Sequence, residues 1–424
     1  MPATRCAASP PESVPPVASG FPLWPLLVTT AMQTLATMAA FAIPALAPAI
    51  GHDLGVDGVL AGYFISLVYG TGIISSLLAA KAIQRFGAER VCQAVLIAAL
   101  GMLLVSASGS VGGFALGALV LGSTYGATAP VSAHLLVPRT PRSIINLGLS
   151  IRQVGVPMGG VLAALVLPPL ALRVGWQAAV LLLAVPVVML LLLLEWPRRR
   201  WDAPAHARAL PRDAHGAVAG VAAGAAAVLN LLRTSAALRR LSIASFVFAG
   251  VQLSFVAFLT VQLTSRAGFG LVAAGQALAL YQLAGMVCRP LWGWLADASA
   301  GRAGAHRLIV WQGFAMGLLA CVAGHLGAHW PVPLILALCA FAGATANGYT
   351  GLSYAEFARL GAARRTEATG LGSAAMFSGV LLLPAAAALI VTLSGSYVIA
   401  FTALGGMALA AALLLAVNPP SRQE

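Results

Sequence analysis

Apolar residues fall along this chain in twelve long runs, six before a basic stretch and six after it. The runs lie at roughly 23–50, 59–79, 91–109, 112–137, 144–169, 175–195, 240–263, 271–295, 308–328, 332–355, 367–393 and 396–417. Each is close to the ~20 residues that a ~30 Å hydrocarbon core requires. Lipid leaves backbone polar groups unserved, so such runs must be helices or strands of a closed barrel. Barrel strands are about 10 residues long and alternate in polarity; these runs are longer and continuously apolar, which selects helices. The pattern predicts an all-α integral membrane protein with twelve transmembrane helices in two pseudo-symmetric six-helix bundles. The expected parts are a disordered cytoplasmic tail (1–20), a first bundle (21–197), a basic cytoplasmic linker (198–238), a second bundle (239–418) and a short cytoplasmic tail (419–424). Within the linker, 216–232 is apolar but short and small-sided. A thirteenth span there reverses the charge bias of every later loop, so it reads as an interfacial or loop helix.

Composition agrees with a lipid solvent: 60% of the 424 residues are hydrophobic and 8% charged, against about 25% charged in soluble domains. The net charge of +13 does not indicate nucleic acid. Of the 24 Lys and Arg, 20 lie in alternate connections or at the two ends, the positive-inside pattern. Lys81, Arg85 and Arg90 follow the second run, Arg139 and Arg142 the fourth, Arg302 and Arg307 the eighth, and Arg359, Arg364 and Arg365 the tenth. The opposite side has Arg173 and Arg266, with Asp53 and Asp57. Both termini are therefore expected in the cytoplasm, and the Arg-rich, Ala-rich composition points to a bacterial inner membrane. The five scattered Cys indicate neither disulfides nor a metal site. No phosphate-binding loop, catalytic cluster or cofactor motif occurs, so the chain is read as no enzyme, with no metal and no cofactor.

The two halves resemble each other. GLSIRQVGVPMGGVLAALVL from Gly148 aligns with GSAAMFSGVLLLPAAAALIV from Gly372, placing Gly155 opposite Gly379. After the eighth run stands RPLWGWLADASAGR, and after the second AKAIQRFGAER. The first resembles the G-x-L-A-D…G-R loop of the major facilitator superfamily, through Gly293, Leu295, Ala296, Asp297, Gly301 and Arg302. The second is a degraded copy that keeps Arg85, Gly87 and Arg90 but has Gln84 in place of Asp. The resemblance implies that these loops latch the two halves at the cytoplasmic face. It also implies transport by alternating access about a midplane site. GVPMGG in the fifth run, with Gly155, Pro157, Gly159 and Gly160, resembles a signature of antiporter branches. Physically, the glycines permit close helix approach and Pro157 frees a backbone carbonyl.

Charges within spans are costly unless water or a partner serves them. Arg152 in the fifth run and Arg289 in the eighth have no Asp or Glu in the middle of any run to meet them. Arg offers a permanent charge and a fork suited to carboxylate, and the spacing Arg289-Gly293-Asp297 weakly resembles monocarboxylate and oxalate–formate facilitators. The expected substrate is a small organic anion, carried by proton symport or by exchange for a counter-anion. Further candidate lining residues are Gln33, Tyr125, Gln153, Gln252, Tyr281, Gln282 and Asn347, each equally suited to hydrogen bonding between helices. Asp53, Asp57 and Glu356 are the nearest candidates for a titrating group. The alternative function is a proton-coupled drug or metabolite exporter; a sensor or scaffold needs an added signalling domain, and the stretch between the sixth and seventh runs offers none. The protein is expected to act as a monomer in the bilayer.

Overall fold

The computed structural model describes residues 23–136, 139, 151–195, 230–298, 304–361 and 364–417. The expected tails, most of the linker, Gly301 and Arg302 lie outside the described residues. Twelve antiparallel segments follow: α1 (Leu23–Leu54), α2 (Leu60–Phe86), α3 (Ala88–Ser106), α4 (Val111–Leu136), α5 (Ile151–Val174), α6 (Trp176–Leu193), α7 (Ala236–Ser265), α8 (Leu271–Ala298), α9 (Gly304–Gly324), α10 (Val332–Gly361), α11 (Arg365–Ser394) and α12 (Tyr397–Val417). Eleven are long and apolar enough to cross a membrane, and α2 is apolar over Leu60–Ser76. The Ser235 hydroxyl caps α7 by accepting from the Leu238 N–H at 3.2 Å, so this helix starts four residues before the expected 240.

The turns α1–α2, α3–α4, α5–α6, α7–α8 and α11–α12 share one end of the molecule, here the odd-turn end. Each contains a glycine at positive φ: Gly55, Gly109, Gly175, Gly268 and Gly395. That backbone region strains any residue with a Cβ, and it allows these helices to reverse within a few residues.

Four of the expected continuous spans are interrupted, α5 at Val154 and α6 at Leu183 among them. α4 breaks between Tyr125 and Thr128, and α10 between Ala346 and Tyr349. Backbone groups released inside a membrane need other partners. Beside the break in α4, the Ser75 hydroxyl of α2 donates to the Gly122 carbonyl at 2.8 Å and accepts from the Gly126 N–H at 3.1 Å. Beside that in α10, the Trp292 indole of α8 donates to the Ala344 carbonyl at 2.8 Å and Arg289 Nε to the Asn347 carbonyl at 2.9 Å. The same repair thus occurs in both halves, by different side chains.

The internal repeat is visible in the packing. A Cβ at Gly155 would lie 2.8 Å from the Thr30 carbonyl oxygen of α1, and one at Gly159 would strike the Thr34 carbonyl. A Cβ at Gly379 would strike the Phe246 carbonyl of α7. So α5 seats on α1 as α11 seats on α7, in the register the sequence alignment gives.

Between halves, α2 packs on α11, α5 on α8, and α1 on α7. Gly62 faces Phe258, Ala388 and the Pro384 carbonyl; Gly58 faces Val261; Gly70 faces Leu381; Gly275 faces Pro168. Three hydrogen bonds cross between halves among the described residues, and they share one origin. Proline has no N–H, so it leaves the carbonyl four residues earlier without its helical donor. Thr260 Oγ1 donates to the Pro44 carbonyl at 2.7 Å, which Pro48 leaves free. Ser66 Oγ donates to the Val380 carbonyl at 3.4 Å, which Pro384 leaves free. Arg289 Nη1 donates to the Gln153 carbonyl at 3.4 Å, which Pro157 leaves free. These junctions occupy the odd-turn half and the middle of the molecule. Towards the other end, the Thr128–Leu136 piece of α4 packs on α1, α2 and α3, and the Tyr349–Gly361 piece of α10 on α7, α8, α9 and α11.

Candidate functional site

Arg152 enters from the start of α5 and is 3% exposed. Its Nη2 donates to Gln33 Oε1 of α1 at 2.5 Å, and its Nη1 to Gln153 Oε1 at 3.4 Å. Its Nε is buried without a hydrogen-bond partner. Because Gln33 spends its oxygen on the guanidinium, its amide nitrogen faces the other way. Nε2 donates to Thr37 Oγ1 at 2.9 Å and to the Tyr125 hydroxyl at 3.5 Å. The Tyr125 hydroxyl also shares hydrogen bonds with Thr37 at 3.1 Å and with the Tyr69 hydroxyl at 3.3 Å. The Tyr69 ring packs edge-on to Tyr125 at 5.3 Å and to Phe377 of α11 at 5.8 Å.

The second half builds a matching network. Gln252 Nε2 of α7 donates to Asn347 Oδ1 at 2.5 Å, and Asn347 Nδ2 to Gln282 Oε1 at 3.1 Å. The Tyr281 hydroxyl donates to the Gln252 carbonyl at 3.1 Å. Gln282 lies across from α5, where a Cβ at Gly160 would strike its amide. Gly160 is therefore the seat of a side chain from the opposite half. Gln153 is the common neighbour of both guanidiniums: its side chain accepts from Arg152 and its main chain from Arg289. Gln153 is exposed, while Gln33, Arg152, Gln282 and Asn347 are buried.

All nine residues expected to line the cavity thus fall into two hydrogen-bonded clusters that meet at Gln153. Neither Arg152 nor Arg289 forms an ion pair among the described residues. Thr37, Tyr69 and Trp292 belong to the same site and were not singled out from sequence. Tyr354 lies within the field of both guanidiniums and shares a hydrogen bond with Ser373 at 3.1 Å. A hydroxyl-bearing side chain inside an apolar run was the available signal for each of the tyrosines.

The candidate acids lie elsewhere. Asp53 accepts from the Trp176 indole at 2.7 Å and from Gln177 at 3.3 Å, tying α1 to α6. Asp57 Oδ1 accepts from the Val59 N–H at 2.9 Å, at the start of α2. Glu356 is 1% exposed and accepts from Arg359 Nε at 2.8 Å and Nη2 at 2.7 Å, with His306 Nδ1 at 3.7 Å. Of the expected latch, Gly87 has φ 89° and ends α2. Arg85 is exposed and lies over the Phe86 ring at 5.2 Å. Arg90 donates to Gln93 Oε1 at 2.7 Å and lies 3.7 Å from Glu195. Gly293 has open space around it. Asp297 lies one residue before the end of α8, but its side chain, like all of Arg302, lies outside the described residues.

Comparison with known proteins bears on this arrangement as a whole. A family model described as Major Facilitator Superfamily matches residues 28–322. No curated protein matches the sequence. Among solved structures, a peptide transporter POT in complex with sulfate is similar at TM-score 0.70 and 19% identity, over 93% of this chain and 94% of that one. A nucleoside transporter NupG is similar at TM-score 0.72 and 13% identity, over 93% and 99%. A POT family transporter in complex with 5-aminolevulinic acid is similar at TM-score 0.67 and 16% identity, over 92% and 95%. These likenesses carry the fold.

Proposed function

We propose, from the premise that this chain belongs to the Major Facilitator Superfamily and is a membrane transporter, that it carries a small organic anion by alternating access. The observation that carries the reading is the meeting of Arg152 and Arg289, one from each half, at Gln153 without an acidic partner. A carboxylate arriving there supplies the missing charge and an acceptor for the unpartnered Arg152 Nε. Because the two guanidiniums stand on opposite halves, one anion touching both links its binding to their relative motion. The sulfate and 5-aminolevulinic acid complexes of the structural neighbours are in keeping with an acidic ligand. Coupling is by an accompanying proton or by exchange for a second anion, in a bacterial inner membrane with both termini cytoplasmic.

Uptake of labelled mono- and dicarboxylates into proteoliposomes tests this. A hydrogen bond to a charged group contributes about 1.5–3 kcal/mol, so Arg152→Ala and Arg289→Ala are each expected to lower transport roughly 10- to 100-fold. Wild-type rates in both variants would falsify the assignment.

The second reading is a proton-coupled exporter, for which GVPMGG speaks. Packing accounts for its glycines: Gly155 and Gly159 seat α1, and Gly160 seats Gln282. Efflux of a drug driven by a pH gradient alone, with carboxylates inert, favours the exporter.

A further inference from the structure

A cavity of about 530 Å³ opens at the odd-turn end, between the two halves and away from Arg152 and Arg289. One wall is formed by α1 and the α1–α2 turn, with His52 and Asp57. The other is formed by the ends of α7 and α11 and the start of α12, with Thr264, Arg266 and Tyr397. We propose that this cavity is a second ligand site, built for a small zwitterion carrying one carboxylate and one amino group.

The walls carry opposite charges. Arg266 is exposed and anchored: its Nη2 donates to the Gly395 carbonyl at 2.8 Å, and its guanidinium lies 5.8 Å from the Tyr397 ring centroid. Its Nε and Nη1 donate to nothing else among the described residues, and Nη2 carries a second N–H, so the held guanidinium keeps donors for a carboxylate. Asp57 is likewise held: Oδ1 takes the Val59 N–H, leaving Oδ2 for an ammonium. Asp57 and Arg266 form no ion pair with each other, so each keeps polar atoms free for a ligand. A simple anion meets repulsion from Asp57, and a simple cation meets repulsion from Arg266. A dipolar molecule satisfies both walls at once. The volume suits a small molecule, since such sites run to about 300–1,000 Å³. The inference does not depend on what Arg152 and Arg289 bind.

The test is equilibrium binding of labelled 4-aminobutyrate to the full-length protein in lipid nanodiscs. Asp57→Asn keeps an acceptor for the Val59 N–H, and Arg266→Gln keeps a polar side chain without the charge; unchanged melting temperatures establish that both variants are folded. The expected result is binding weakened at least about tenfold in each of these variants and retained in Arg152→Ala. Butyrate and butylamine, with one charge each, are expected to compete at least about tenfold more weakly than 5-aminopentanoate. Absence of binding overturns the proposal. So does binding that survives in both Asp57→Asn and Arg266→Gln, or single-charge competitors that match the zwitterion.

Discussion

Arg152 shows how much one buried side chain asks of its neighbours. Its charge is held by amide oxygens alone, Gln33 Oε1 and Gln153 Oε1. Exchanging Gln33 therefore separates stability from function. Gln33→Leu removes the 2.5 Å acceptor and leaves the guanidinium further unserved, at a cost of about 1.5–3 kcal/mol; thermal unfolding is expected to shift down. Gln33→Glu supplies the missing negative charge in place. It is expected to unfold at a higher temperature than wild type and yet to lose anion transport, since its own carboxylate fills the fork. If Gln33→Glu transports carboxylates normally, Arg152 does not contact the substrate. At this scale the sequence was informative about identity and silent about bonding. An Arg, a Gln and a Tyr in apolar runs identify Arg152, Gln33 and Tyr125 as unusual. Which amide oxygen faces which guanidinium depends on residues 119 positions apart meeting in space. Thr37 had no such signal, because a hydroxyl in a helix is ordinarily satisfied by its own backbone.

At the scale of the helix, prolines account for joints that a hydropathy pattern does not record. Each carbonyl freed by Pro48, Pro384 and Pro157 is taken by a donor of the opposite half. Pro157→Ala returns an N–H to the Gln153 carbonyl and competes with Arg289 for it. The expected outcome is a looser junction between α5 and α8, read as faster labelling of a cysteine placed at Gln282. Labelling at the wild-type rate would sink this account. The glycine seats act in the opposite sense. Gly379→Leu forces a side chain against the Phe246 carbonyl, and overpacking costs about 1–3 kcal/mol or more; the variant is expected to melt lower than wild type. Helix number, order and the Gly155–Gly379 correspondence were legible, because apolar length and small-residue spacing are local properties. The breaks at 126–127 and 347–348 were not, since they depend on Ser75, Trp292 and Arg289 standing ready on the neighbouring helix.

Across the whole molecule, the junctions between halves gather at the odd-turn end and in mid-membrane, and Gln153 stays exposed beside them. The proposed orientation has the odd-turn end outside the cell, and with it the proposal implies a state open to the cytoplasm. A cysteine at Gln153 is expected to react with a membrane-impermeant thiol reagent in inside-out vesicles and to be protected in right-side-out ones. A cysteine at Ala388, sealed against Gly62, is expected to be protected in both. The reverse pattern at Gln153 contradicts either the orientation or the state. The seal itself is made largely of methyls, rings and glycines: Gly58 on Val261, Gly62 on Phe258, Gly70 on Leu381, Gly275 on Pro168. Wetting that surface raises heat capacity, and drying the exposed polar side chain of Gln153 raises it as well. The two changes add rather than cancel, so the equilibrium between the two open states is expected to give a curved van't Hoff plot.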